Sequence, residues 1–278
     1  MGVVLLAVVN LARKVVMRCA MFTCLFLTPV LMFGWCAARP GRAQEFRMET
    51  DVFVEDAKEP VGETLTIFSN GLVYDFLLTG IEEITLFDRK RSRLVLMDTQ
   101  RKVKTVLTME DIVTFVANMK AQLSDDQRGY LVSEANSAVI EEDGWLKVAT
   151  ERVVYRAECI KPRDKSTALE YQEFADWYAR LNAMRGSFPP FLRIHLNSEI
   201  AKRGLIPKTI ERTVHDDNIL TGRKQVVRSH HLANWRLSKT DRKRIDTAGT
   251  YLTTYPTVTL REYLRLPMAS SDNGNQRH

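Results

Sequence analysis

Residues 62–108 read GETLTIFSNGLVYDFLLTGIEEITLFDRKRSRLVLMDTQRKVKTVLT, and this stretch decides the fold. Thr64-Leu-Thr-Ile67 alternates polar and apolar side chains, as a half-buried strand does. Asn70-Gly71 follows, the strongest short hairpin signal, because both residues tolerate the positive φ of a tight two-residue turn. Side chains alternate along a strand, so the return run sets Leu72, Tyr74, Phe76 and Leu78 on one face. Glu83-Ile-Thr-Leu86 is the next run, and it ends in the polar turn Asp88-Arg-Lys-Arg-Ser92. Leu94-Val-Leu-Met97 is apolar throughout, as in a strand covered on both faces. Asp98-Thr-Gln-Arg101 then turns into Lys102–Leu107. Five strands joined by such short turns must be antiparallel, since parallel neighbours need long crossovers. Phe46–Thr108 therefore reads as a β-meander.

Helical signals begin where the meander stops. Thr108 with Asp111 three residues later resembles a capping box, and Ile112, Phe115, Val116, Met119 and Leu123 recur at helical spacing. Ser124-Asp-Asp-Gln-Arg-Gly129 reads as the end of that helix. A second β region holds Ser137–Ile140, the turn Asp143-Gly144, Trp145–Val148 and the run Val153–Ile160. A second helix spans about Thr167 to Met184, and its stripe of Tyr171, Phe174, Trp177, Tyr178, Leu181 and Met184 is unusually aromatic. Pro189-Pro190 suits the first turn of a third helix ending near Gly204. Strands resume at Thr209–His215 and Gln225–Leu237, a short polar helix follows over Ser238–Thr247, and Thr250–Leu266 reads as a last extended stretch.

The ends have a different character. Met17-Arg18 precedes an apolar run from Cys19 to Trp35 and then small residues up to Ala43, the pattern of a secretory signal peptide. A leader over residues 1–43 is expected, with Met17 as the true start and cleavage after Ala43. The alternatives are weaker: Pro29 interrupts a run at the short limit for a membrane span, and Trp35 is too large to precede a lipidated Cys36. Residues 44–266 are expected to form a single β-rich domain, and 267–278 (PMASSDNGNQRH) a disordered tail. The expected mature protein is exported, periplasmic or extracellular, with no stable membrane span.

The leader holds five of the forty Lys and Arg residues, no acid and three of the four cysteines. Without it, 35 basic groups face 34 acidic ones, which argues against a nucleic-acid partner. Cys159 alone remains, so no disulfide is available within one chain and the fold must rest on its hydrophobic core. It shares a strand face with Val153, Tyr155 and Ala157, as a buried inert thiol would.

The sequence has no Walker loop, no G-x-S-x-G elbow, no G-x-G-x-x-G, no H-E-x-x-H and no zinc-spaced cysteine pair. No catalytic residue, cofactor site or metal site is expected. His230-His231 resembles a metal pair, but neighbours on a strand point to opposite faces. A core His231 beside Val227, Ala233 and Trp235, with a surface His230, is the expectation. His195 among Phe191, Leu192 and Leu196 is expected to be a satisfied core histidine, and Asp216-Asp217-Asn218 a turn.

Asn70-Gly-Leu-Val-Tyr-Asp75, Glu83-Ile-Thr-Leu-Phe-Asp88 and Leu94-Val-Leu-Met-Asp98 give short strands punctuated by Asp and Gly turns. With the order leader, meander, helix, strands, inserted helices and closing strands, the chain resembles the LolA/LolB-like periplasmic lipoprotein-carrier half-barrel superfamily. The resemblance covers about half the chain, and Pro189–Leu266 has no counterpart in it. It implies an α+β fold, a curved antiparallel sheet forming an unclosed half-barrel with helices on its concave face. It also implies a non-enzymatic carrier of a lipid-like apolar ligand. The expected ligand-binding residues are Leu72, Tyr74 and Phe76 of the sheet and Phe174, Trp177 and Tyr178 of the aromatic helix, bounding one pocket. As packed core, Trp177 would cost about 3–5 kcal/mol on truncation. Two other readings stand beside the carrier. One is a structural or interaction subunit of the cell envelope with a filled core; the other is a hydrolase with a dispersed active site. An open cavity of several hundred cubic ångströms separates the first two, and a cluster of acid, base and nucleophile within hydrogen-bond reach in a cleft would favour the third.

Overall fold

A computed structural model describes residues 45–80, 82–132, 139–215 and 224–265. The leader, the tail, Ser137 and Asp216-Asp217-Asn218 lie outside these residues. The meander comprises β1 (Phe46–Val54), β2 (Gly62–Ser69), β3 (Leu72–Leu77), β4 (Glu83–Asp88), β5 (Arg93–Asp98) and β6 (Val103–Thr108). The Asn70-Gly71 turn has φ of 55° and 75°, the pair of positive angles its sequence implies. Then come α1 (Met109–Gln122), α2 (Asp125–Leu131), β7 (Ile140–Glu142), β8 (Trp145–Ala149), β9 (Val153–Ile160), α3 (Lys165–Met184) and α4 (Phe191–Lys202). The chain closes with β10 (Ile206–His215), β11 (Lys224–Asn234), α5 (Lys239–Thr254) and α6 (Leu260–Tyr263).

All strands belong to one antiparallel sheet of order β6-β5-β4-β3-β2-β1-β11-β10-β9-β8-β7. Two sequential meanders meet where β1 pairs with β11, as at Thr50 opposite His231. β6 and β7 stand at opposite edges, so the curved sheet is unclosed and the fold is α+β. The β6 edge is covered: Lys104 N–H donates to the Pro256 carbonyl, and Val258 N–H donates to the Lys104 carbonyl. That pairing occupies polar groups that would otherwise template association.

Helices cover both faces of this sheet, not the concave face alone. On one face Phe68, Val73, Phe87, Leu94 and Leu96 pack against Tyr171, Phe174 and Leu181 of α3. Farther along, Leu146, Val148, Tyr155 and Ile210 meet Leu192, Leu196 and Ile200 of α4. On the opposite face Leu65, Ile67, Tyr74, Phe76, Ile84 and Leu86 pack against Ala248, Leu252 and Tyr255, which belong to α5 and its C-terminal cap. Because both faces are covered, Leu94–Met97 is fully buried throughout.

Helix boundaries differ from the sequence expectation in two places. Ser124 does not end a helix; it caps α2 through a reciprocal box with Gln127. The expected extended stretch Thr250–Leu266 is instead helical to Thr254 and again over Leu260–Tyr263. Threonine-rich sequence favours strands, but here Thr250 and Thr254 donate their hydroxyls to the carbonyls of Asp246 and Thr250. Lys104 Nζ donates to the carbonyls of Leu252 and Tyr255 at 2.8 and 2.6 Å, placing a cation at the negative end of α5. Burial of the α5 stripe and this terminal cation override local propensity.

Candidate functional site

The cross-strand register builds a patch of small polar side chains on the α3 face of the central strands. Thr50 pairs with Thr64 on one side and His231 on the other. Thr66 pairs with Asp75, and Ser229 lies two residues from His231 on the same face. Above this floor pass Phe174, Ala175, Tyr178 and Ala179 of α3. Phe188 and Pro189, between α3 and α4, complete one wall. Tyr178 reaches the floor at Asp75, but elsewhere floor and helix stay apart, leaving a cavity of about 380 Å³ between them.

The floor is internally bonded. Thr66 Oγ1 donates to Asp75 Oδ1 at 2.6 Å, and the Tyr178 phenol hydrogen-bonds the same carboxyl. Burial raises the Asp75 pKa against these hydrogen bonds, and Asp75 is the one acidic residue lining the cavity. The Tyr178 phenol is pushed well above its ordinary value by burial and by Asp75. The His231 ring lies between two hydroxyls, with Nδ1 3.0 Å from Thr50 Oγ1 and Nε2 2.9 Å from Ser229 Oγ. Burial first, then the charges of Arg193 and His230, lower its pKa to about 3, so the imidazole is neutral at physiological pH. A neutral ring donates from one nitrogen and accepts at the other, which satisfies both hydroxyl contacts.

Two guanidinium groups also line the cavity. Arg193 donates from Nε to Asn197 Oδ1 at 2.9 Å and hydrogen-bonds the Tyr171 phenol. Asn197 in turn donates to Asp176 Oδ1 at 2.8 Å, linking Arg193 indirectly to that carboxyl. Arg212 lies with its guanidinium carbon 4.6 Å from the Phe188 ring centroid, and its buried Nε has no hydrogen-bond partner. Among the described residues, neither arginine has a carboxylate within ion-pair distance.

The six expected ligand-binding residues do not share one pocket. Phe174 and Tyr178 line the cavity beneath α3. Trp177 is half-buried, packed at the margin of the core with Arg180 5.0 Å over its ring. Leu72, Tyr74 and Phe76 lie on the other side of the sheet, under α5. Phe76 borders a separate cleft of about 300 Å³ lined also by Thr240, Lys243 and Tyr251. The alternation of β3 is as expected, but it places Val73 and Asp75, not Tyr74 and Phe76, toward α3. The residues that sequence reasoning missed are Arg193, Arg212 and the floor of Thr50, Thr64, Thr66, Asp75 and Ser229. The signal available was polar residues at alternate positions of strands with apolar neighbours.

The remaining expectations divide. His230 and His231 point to opposite faces, with His230 exposed and edge-on to Phe53. Cys159 is half-buried and its thiol is pushed up to about 12, chiefly by burial. His195 is half-buried, but its Nε2 has no hydrogen-bond partner, so it is not the satisfied histidine expected. A scan against protein-family models finds no match to this chain, and neither does a search of curated proteins.

Proposed function

We propose that the chain is a non-enzymatic binding protein, carrying a small lipid-like molecule outside the cytoplasm once its leader is removed. The observation that supports this reading is the cavity of about 380 Å³ between α3 and the central strands. Its volume lies within the roughly 300–1,000 Å³ of small-molecule sites. An envelope subunit with a filled core would have side chains in that space. The aromatic side of α3 offers apolar area for a hydrocarbon chain, worth roughly 0.8 kcal/mol for each buried methylene. Titration of the protein with a fluorescent long-chain fatty acid tests the reading. Saturable binding, lost in Ala179→Leu while the fold is retained, is expected; no binding by the wild type overturns it.

One observation favours the hydrolase reading. Ser229 and His231 form a hydrogen-bonded hydroxyl–imidazole pair inside the cavity, with Thr50 in the orienting position. Two features weigh against catalysis. A base with a pKa of about 3 takes a proton poorly at neutral pH. Thr50 also lacks the negative charge by which a carboxylate stabilises the imidazolium. Labelling of Ser229 by a fluorophosphonate, or ester hydrolysis abolished in Ser229→Ala, would favour the enzyme.

A further inference from the structure

We propose that the cavity takes an amphiphile with an anionic head, a carboxylate or a phosphate monoester, held by Arg193 and Arg212. The inference rests on the carrier reading and names the chemistry of its ligand. A cavity for bare hydrocarbon would be lined by apolar side chains, because every unpaired polar group enclosed with such a ligand is costly. This one is lined by two half-buried guanidinium groups without an ion-paired carboxylate among the described residues.

Each arginine is held by contacts that leave donors free. Arg193 is fixed through Nε to Asn197 and bonds Tyr171, but a guanidinium has five N–H groups. Arg212 rests on Phe188, an aromatic face that orients the planar group without consuming its donors. Its buried Nε–H lacks an acceptor. The neighbouring carboxylates among the described residues form no ion pair with either arginine. Asp75 is engaged by Thr66 and Tyr178; Asp176 acts on Arg193 through its charge, but its hydrogen bonding to Arg193 runs by way of Asn197. An oxyanion entering the cavity would therefore meet donors already oriented on two guanidinium groups. Phe174, Phe188 and Met48, in the same lining, supply apolar contacts for the attached chain.

The test is displacement of a bound anthroyloxy fatty acid by dodecanoate, dodecyl phosphate and dodecanol, which share a tail and differ in head. Wild-type protein should prefer at least one of the anions to dodecanol by about tenfold or more, the scale of a charge-assisted hydrogen bond. Preference between the two anions identifies the head. Arg212→Met keeps bulk against Phe188, and Arg193→Gln keeps a donor for Asn197. Each should weaken the preferred anion about tenfold and leave dodecanol unchanged, with intact folding checked by circular dichroism. Having two variants keeps the test decisive if one fails to fold. Equal displacement by all three compounds, or an anion preference that survives in a folded variant, overturns the proposal and leaves the carrier reading standing. Failure of the fluorescent probe to bind at all overturns both.

Discussion

Acid should weaken this protein through His231 well before its surface carboxylates titrate. The ring is enclosed between Thr50 and Ser229, and its pKa falls to about 3 from an ordinary value near 6.5. Between these values the unfolded chain binds a proton that the folded chain refuses, so stability rises with pH across the window. The contribution is complete above about pH 6.5 and is lost as pH falls toward 3. From pH 7 to pH 4.5 the full shift corresponds to about 2.5 kcal/mol, at 1.36 kcal/mol per pH unit with partial protonation near the upper end. Residual access of water from the cavity reduces this to about 1.5–2.5 kcal/mol. The raised carboxyls Asp75, Glu170 and Asp176 act in the opposite sense, gaining native protons as pH falls. Comparison with His231→Gln cancels them, because Gln can still donate to one hydroxyl and accept from the other. Urea unfolding of both proteins at pH 7.0 and 4.5 gives the double difference. Agreement of the two pH dependences within about 0.5 kcal/mol would mean that His231 charges freely in the folded state, refuting its enclosure.

Other perturbations should follow burial. Phe46→Ala removes a fully buried ring stacked 4.0 Å from Phe68 and should cost about 3–5 kcal/mol in urea unfolding. Trp177→Ala, at the margin of the core, should cost less, about 1–2 kcal/mol, mainly through lost apolar contact. Asp241→Ala breaks the α5 capping box and leaves Arg47 without that carboxylate; a loss of about 3–5 kcal/mol is expected in the same assay. Phe76→Glu places a charge under α5 and should destabilise by about 2–4 kcal/mol. Fatty-acid affinity of the folded Phe76→Glu fraction should be unchanged, because the cavity lies on the other face of the sheet.

Strand alternation was legible from the sequence, and the destination of each face was not. Leu72, Tyr74 and Phe76 do form one apolar row, but Val73 belongs to an equally buried row on the opposite face. A period of two separates the faces without saying which helix meets which, and a sheet covered on both sides removes the polar face that would break the tie. The α1 capping box at Thr108 and Asp111 was readable because it is local. The Ser124–Gln127 box was equally local, but the polar run containing Gly129 resembled a terminator. The start of α5 was expected, as a short helix over Ser238–Thr247, but its continuation to Thr254 was hidden for a different reason. The threonines there favour strand locally, and two tertiary contacts hold the helix: the stripe of Ile245, Ala248 and Leu252 against the sheet, and Lys104 at the last carbonyls.

The cavity has a physical origin in side-chain size. At one end of the α3 face Phe46 and Phe68 of the strands, with Trp235 just after β11, pack against one another and against Tyr171 and Phe174. Farther along the same face the row changes to Thr50, Thr64, Thr66 and Ser229, while α3 presents Ala175 and Ala179. Short side chains thus oppose short side chains, and a helix of twenty residues already held by its aromatic half does not collapse onto them. Hydroxyls are poor fillers of a dry core, since each needs a partner, yet here Thr66 bonds Asp75 while Thr50 and Ser229 bond His231. Replacing them with leucine and valine would give denser packing and would remove both the space and its polar floor. Open space, a self-satisfied floor and two cations held without carboxylates occur together at one place in the sheet. Packing stability alone favours neither the open space nor the two cations, and the anionic amphiphile proposed above would account for both.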